Sequence, residues 1–288
     1  ITFVRKIDAL SFTEAVEKLA VKYGIVLRYE EGNGASAGQQ GQRARLIEAH
    51  KFAGAFYKAQ LLTPEAQHAR TFLTERGFDQ ASWDLFGVGY SPSGWDGLRN
   101  ELRSKGFSEE EMITAGLAVS GQRGAYDRFR DRVMWPIRDS SADTIGFGAR
   151  KLTEADQGPK YLNTPETPIY RKSQVLYGID LARREMAKQQ QAVVVEGYTD
   201  VMACHLAGIT TAVATCGTAF GADHIRIIRR LLMDDDAFRG EVIFTFDGDA
   251  AGQKAALRAF SEDQKFVTQT FVAVEPDGLD PCDLRQQK

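Results

Sequence analysis

Two short runs of β-forming residues end in carboxylates and open directly into helical patterns: Val193-Val194-Val195-Glu196-Gly197-Tyr198-Thr199-Asp200 and Val242-Ile243-Phe244-Thr245-Phe246-Asp247-Gly248-Asp249. A strand that gives way to a helix, repeated, sets its acids at the carboxyl ends of neighbouring parallel strands, where open α/β sheets bind ligands. The pattern runs on through the second part of the chain. Strands are predicted over residues 192–196, 211–215, 242–246 and 270–274, with helices ending at Gly208 and spanning 222–232 and 250–260. Alternation of this length implies a parallel sheet covered on both faces.

A third acidic cluster, Asp277, Asp280 and Asp283, follows the last of these strands. Carboxylates gathered this closely repel one another and take up protons unless cations sit between them, so hard divalent metals with oxygen ligands are the natural occupants. The glycines beside Glu196 and within Asp247-Gly248-Asp249 let the backbone turn sharply enough for the acids to face one ion. A single D-G-D is more often a helix cap than a metal site. Three acidic strand ends in succession favour a Mg²⁺ or Mn²⁺ centre.

The first part of the chain reads differently. Ser11-Phe12-Thr13-Glu14 forms a capping box that opens a helix toward Lys22. Residues 31–43 lack apolar periodicity and read as a flexible linker. Helical spacing returns over residues 44–60, Thr63-Pro64 starts another helix that stops at Gly77, and Ser108-Glu109-Glu110-Glu111 caps a short one. Residues 87–97 are rich in turn formers. Strands are predicted over 133–137 and 144–149 around a turn at 139–142, and the proline-containing stretch 160–170 reads as a structured loop.

The whole of 288 residues suffices for two linked domains, and no apolar run reaches membrane-spanning length. The domain expectation is an amino-terminal helix and linker over 1–43, a basic α+β subdomain over 44–184, and the acidic α/β domain over 185–288. A start at Ile1 without Met suggests a piece of a longer protein. Cys204, Cys216 and Cys282 lie far apart with no C-x-x-C pair, so no zinc site is expected here, and the sparse count fits a reducing cytoplasm. The net charge of −3 hides an asymmetry: residues 121–184 carry 12 basic and 8 acidic groups, residues 192–288 carry 9 and 15. That division suits a polyanion on one side and metals on the other, although two ordinary solvated faces would look the same. Arg128, Arg130 and Arg132 alternate along a stretch read as extended, which would direct their guanidinium groups to one face. Tyr198, Met134, Trp135, Cys204, His205, Cys216 and His224 read as core or cap residues.

E-G-Y-T-D-V at Glu196, D-G-D-A-A-G at Asp247 and P-D-G-L-D-P at Pro276 together resemble the Toprim domain of bacterial DnaG-type primases. The upstream stretches Asp127-Arg128-Phe129-Arg130-Asp131-Arg132-Val133-Met134-Trp135-Pro136-Ile137 and Pro159-Lys160-Tyr161-Leu162-Asn163-Thr164-Pro165-Glu166-Thr167 resemble that family's basic motif and second signature. The resemblance implies an α+β amino-terminal subdomain followed by a Toprim-like parallel α/β sheet, with the carboxy-terminal helical part truncated. It puts Glu196, Asp247 and Asp249 on the metal ligands, with Asp200 and Asp280 in the same pocket. Arg76, Arg128, Arg130, Arg150, Lys160, Asn163 and Lys172 fall on template-groove or phosphate-contacting positions, Lys160 also among the catalytic groups. Where many relatives read D-P-D, this chain has Asp280-Pro281-Cys282-Asp283, so either Asp283 substitutes by a shift of one residue or the site manages without that acid.

The implied activity is DNA-directed RNA synthesis: ribonucleoside triphosphates are condensed on a single-stranded DNA template into RNA primers, with two or more Mg²⁺ or Mn²⁺ ions possible. The implied partners are the template, the nucleotides and the RNA primer, with a replicative helicase and a zinc-binding domain reached through the missing termini. No membrane is involved, and the setting is the bacterial cytoplasm at the replication fork. Two alternatives stand beside it: a Toprim nuclease or topoisomerase-like fragment, and a non-catalytic nucleic-acid-binding scaffold.

Overall fold

The computed structural model describes residues 1–4, 12–25, 37–122, 124–154, 156–232, 240–246, 269–275 and 278–287. Helix α1 spans Phe12–Tyr23, and its expected cap Ser11 lies outside the described residues. Helix α2, Ala37–Gln60, takes in residues 37–43, which the sequence pattern assigned to a linker. The reason is cooperativity: once the apolar face from Leu46 onward is docked, each further Gln, Arg or Ala extends the helix at little cost.

A 3₁₀ turn, Pro64–Ala66, leads into α3, Gln67–Glu75; the Thr63 hydroxyl turns back to donate to the Gln60 carbonyl at 2.8 Å, so proline rather than a side-chain cap opens it. Next come α4 (Gln80–Phe86), the strand β1 (Gly89–Ser91), α5 (Gly97–Ser104) and α6 (Glu109–Thr114), the last with the expected Ser108/Glu111 box. Strands β2 (Ala118–Gly121) and β3 (Gly124–Asp127) form a hairpin. A second, β4 (Arg132–Arg138) with β5 (Thr144–Lys151), turns where the sequence placed the turn. Strand β6, Tyr161–Asn163, comes from the stretch read as a loop. Strands β1, β4, β5 and β6 make a sheet of order β1-β4-β5-β6, and the β2–β3 hairpin is a separate two-stranded sheet.

Beyond a 3₁₀ turn, Lys172–Gln174, lie β7 (Leu176–Tyr177), α7 (Ile179–Gln189), β8 (Gln191–Val195), α8 (Tyr198–Leu206), β9 (Ala212–Thr215) and α9 (Ala222–Leu231). They are followed by β10 (Glu241–Phe246), β11 (Gln269–Val274) and α10 (Pro281–Gln287). The second sheet has the order β11-β10-β8-β9-β7; its strands are parallel except β7, which runs antiparallel to β9 at the edge. The parallel α/β expectation therefore holds with one antiparallel edge added. The helix expected over 250–260 lies outside the described residues.

Strand β4 is buried from Arg132 to Ile137 because both faces of its sheet are covered. On one face α2 packs Tyr57 against Phe147, rings 5.2 Å apart and at 87°. On the other, Trp135 stacks on Tyr198 of α8 at 5.3 Å and 9°, and its indole N–H donates to the Met202 sulfur at 3.2 Å. Trp135 pairs with Gly148 across the strands, and a Cβ at Gly148 would come within 2.1 Å of the Tyr198 ring. Tyr198 is thus the wedge joining the two sheets.

His50 of α2 is fully buried, stacked on Phe147, with Nδ1 2.8 Å from the Leu46 carbonyl. Burial pushes its imidazole down to about 4 from an ordinary 6.5. A depressed folded-state value means that the associated stability is complete above the unfolded value and is lost as pH falls through the folded one. We expect wild-type stability to drop by up to ~3 kcal/mol from this group between about pH 6.5 and 4, and His50→Phe to flatten that limb of the urea-midpoint profile. Equal slopes in the two proteins would refute the assignment.

Candidate active site

Strand β8 ends at Val195, and the next residue, Glu196, is exposed at its carboxyl end. The chain turns at Gly197 into α8, and Gly197 N–H donates to the buried Asp200 carboxylate at 2.9 Å. Phe244 of β10 pairs with Val194 in parallel register, so the carboxyl ends of β8 and β10 lie at the same edge of the sheet. Asp247, Asp249 and Asp277 themselves lie outside the described residues.

Asp280 opens α10 by accepting the Asp283 N–H at 2.7 Å, and α10 packs on α8. Cys282 is buried with Arg76 Nη1 3.9 Å from its sulfur. Burial pushes this thiol up to about 11; Arg76 opposes the shift, and the negative charges of Asp280 and Asp200 add to it. Position 282 therefore sits within the acidic pocket, whereas Asp283 is exposed. Among the described residues no three His, Cys, Asp or Glu side chains converge as a metal-holding group.

Beside the acids runs a basic track. Arg76, at the end of α3, and Arg150 of β5 lie over the ring of Phe72 at 5.0 and 4.1 Å. Arg128 is half-buried, which lowers its guanidinium pKa, and donates to the Asn163 carbonyl at 3.3 Å. Arg130 lies 4.0 Å over Trp95 and donates to the Asp127 carbonyl at 2.6 Å. The reading of Arg128, Arg130 and Arg132 as one face of an extended strand is corrected. Residues 128–131 lie between β3 and β4, and Asp131 takes a left-handed backbone with φ of 51°. That conformation is held because the Asp131 carboxylate accepts from Tyr90 at 2.8 Å and pairs with His68 at 2.7 Å. The resulting kink sends Arg132 inward, where it pairs with Asp156 and donates to the Pro159 carbonyl at 3.0 Å. All three arginines nonetheless border one cavity of about 500 Å³ closed by Thr153, Asp156 and Pro159.

The remaining family positions divide. Lys160 is exposed, its ammonium 5.9 Å from the Tyr161 ring. Asn163 is a strut: its amide donates to the Cys216 carbonyl and its Oδ1 accepts from the Tyr198 hydroxyl, each at 2.8 Å. Lys172 lies on a 3₁₀ turn clamped to α9, with His224 Nε2 3.1 Å from its carbonyl. Met134, Trp135, Tyr198, Cys204 and Cys216 are buried; His224 receives the Gly221 N–H and His205 contacts the Ala212 carbonyl, so the core-and-cap readings stand. Sequence reasoning passed over Trp95, 61% exposed under Arg130, and Phe72 between two arginines. The only signal for Trp95 was a lone tryptophan in a turn-rich segment.

A family model described as the DNA primase catalytic core, N-terminal domain, matches residues 56–183, and a Toprim domain model matches 190–273. The DNA primase of Streptomyces coelicolor is 66% identical over 289 residues, covering 100% of this chain and 45% of its own length. That of Mycobacterium tuberculosis is 55% identical over 284 residues, covering 98% and 44%. The chain thus spans about half the length of the curated relatives it matches. Among solved structures, the RNA polymerase domain of Mycobacterium tuberculosis primase DnaG is similar at 58% identity and TM-score 0.82, over 85% of this chain and 80% of that one. A DnaG primase catalytic domain bound to ssDNA is similar at 38% identity and TM-score 0.75, over 86% and 76%. A solved relative this close over most of its length, with core and Toprim models in succession, decides between the alternatives the acids left open: the chain belongs to the DnaG-type DNA primase family.

Proposed function

We propose that this chain condenses ribonucleoside triphosphates into RNA primers along a single-stranded DNA template. The observation that carries the reading is the abutment of acid and base. Asp200 accepts the Gly197 N–H at 2.9 Å at the start of α8, α8 packs on α10, and Cys282 of α10 has Arg76 3.9 Å from its sulfur. That adjacency supports a metal-dependent phosphoryl site beside a polyanion track. The bound ssDNA in a relative's catalytic domain supports the same template class.

The pocket's acidic donors are carboxylates, oxygen ligands of the kind that suit a hard divalent ion. Glu196, Asp247 and Asp249 would hold Mg²⁺ or Mn²⁺, with Asp200 and Asp280 beside them; Asp283, exposed on α10, would join only as an outer ligand. When bound, such ions neutralise phosphate charge and lower the pKa of an attacking hydroxyl. The chain's own contribution is positioning: Lys160 and Lys172 neutralise the triphosphate, Arg76, Arg128, Arg130 and Arg150 fork onto template phosphates, and Asn163 holds β6 against α8. A 3′-hydroxyl then attacks the α-phosphate in line and pyrophosphate leaves. The reading places the chain at the replication fork in the bacterial cytoplasm, working with a zinc-binding domain and the replicative helicase.

Template binding through phosphates has a measurable signature. Single-stranded DNA should bind with log K falling against log salt by about 0.7 per phosphate contacted. The triple replacement Arg128→Ala, Arg130→Ala, Arg150→Ala should weaken binding and flatten that slope. Unchanged affinity and slope would put the template elsewhere. Trp95→Ala should weaken binding while leaving the slope intact, because a stacking contact releases no counterions.

A further inference from the structure

Among the described residues, three that are not glycine take a left-handed backbone: Asp131, Ala142 and Gln190. Ala142 lies in the β4–β5 turn and Gln190 caps the end of α7, places where a chain ordinarily reverses. Asp131 stands instead inside the basic motif. Before it is Arg130, whose guanidinium lies 4.0 Å over the exposed Trp95, and after it is the buried Arg132. A backbone outlier held at such a place points to function.

Three side chains from distant parts of the chain hold it. His68 Nε2 and the Tyr90 hydroxyl reach one carboxylate oxygen at 2.7 and 2.8 Å, and the Thr153 hydroxyl donates to the other at 3.4 Å. A carboxylate only accepts, so Nε2 carries its proton. Burial, and then the Asp131 carboxylate, push the Tyr90 phenol up, so it stays a donor. Tyr90 is fully buried and meets the His68 ring edge-on at 5.4 Å and 86°, which makes it the floor of the network. The His68 side chain, 39% exposed in the first turn of α3, is the outer pin.

The pin sits at a joint. Asp131 borders the cavity of about 500 Å³ that Arg128, Arg130 and Arg132 line, and His68 borders another, of about 660 Å³, with Phe72 and Arg150. The contact between His68 and Asp131 fastens one to the other. We propose, on the reading of this track as the template groove, that His68 is a positioning residue for template binding, which through Asp131 keeps Arg130 over Trp95 and holds the two halves of the track together. Once the carboxylate is released, nothing keeps Asp131 out of the extended region that residues other than glycine prefer. Arg130 then leaves Trp95 for the side taken by Arg132.

The test has two arms. Without DNA, iodide quenching of the protein's fluorescence reports on Trp95, the exposed tryptophan beside the buried Trp135 and half-buried Trp83. His68→Ala and Asp131→Gly should each move the quenching constant most of the way to its value in Arg130→Ala. With a labelled single-stranded oligonucleotide in EDTA, both should weaken binding about fivefold and lower the slope of log K against log salt by about 0.7, the share of one phosphate. His68→Gln, whose amide nitrogen can still donate to Asp131, should recover most of the affinity, and the double variant should lose no more than either single one. Glycine accepts this φ without strain but, unpinned, visits other conformations as well, so Asp131→Gly stays folded and reads the pin even if His68→Ala unfolds. Quenching unchanged in the His68 and Asp131 variants overturns the proposal at the pin. Shifted quenching with strand affinity and slope unchanged overturns it at the template reading, so the two failures are distinguishable.

Discussion

Glu196→Gln, Asp247→Asn and Asp249→Asn should each lower templated ribonucleotide incorporation by several orders of magnitude while leaving the melting temperature near that of the wild type. Each exchange keeps the side chain's shape and removes one negative charge. Oxygen-only sites hold a divalent ion chiefly through carboxylate charge. An isosteric neutral residue therefore loses the ion, and with it the stabilisation of the phosphoryl transition state. Glu196 is exposed at the end of β8, so the isosteric exchange removes no packed volume from the core. Metal affinity should fall in parallel with activity, measured by titration of Mn²⁺. Near-normal incorporation by any of the three would mean that the acid at that position is a helix cap or a surface group.

A second large effect is structural. Gly148→Ala should destabilise the protein by several kcal/mol, because the added Cβ meets the Tyr198 ring at 2.1 to 2.5 Å. Neither side can give way: Gly148 is mid-strand in β5, and Tyr198 is held by Trp135 at 5.3 Å, by Tyr177 at 4.8 Å and by Asn163. Overpacking of this severity exceeds the ~1–3 kcal/mol of milder insertions. Tyr198→Ala should cost about 3–5 kcal/mol through the cavity it leaves. The two changes together should cost less than their sum, since the small residue relieves the clash. Tyr198→Phe, which loses only the hydrogen bond to Asn163, should cost about 1 kcal/mol. Thermal melts of the four variants measure this, and a Gly148→Ala melt indistinguishable from the wild type would contradict the wedge.

The same residues show why some of the molecule was legible in the sequence and some was not. Strands β8 and β9 announce themselves because a parallel strand buried on both faces needs an apolar run; β10 and β11 are legible from their β-branched and aromatic residues, although β11 is half-buried to exposed, and Gly208 marks a helix end. Strands β1, β6 and β7 are two or three residues long and owe their conformation to the partners they pair with, so no local period exists to read. Glu196 and Asp200 were legible by position, at the end of β8 and in the first turn of α8, whereas the geometry of the basic motif was not. Asp131 turns the chain only because Tyr90 and His68, distant in sequence, bind its carboxylate. Helix α10 was readable and missed: Asp280-Pro281 is an amino-cap followed by proline at the first helical position.

The central claim is tested most directly by supplying this chain with single-stranded DNA, labelled ribonucleoside triphosphates and Mn²⁺ or Mg²⁺, and resolving the products by size and sequence. The account predicts short RNA complementary to the template, absent when the template is omitted and absent for Glu196→Gln. Nicked DNA without RNA, or RNA made equally well with no template, would contradict it.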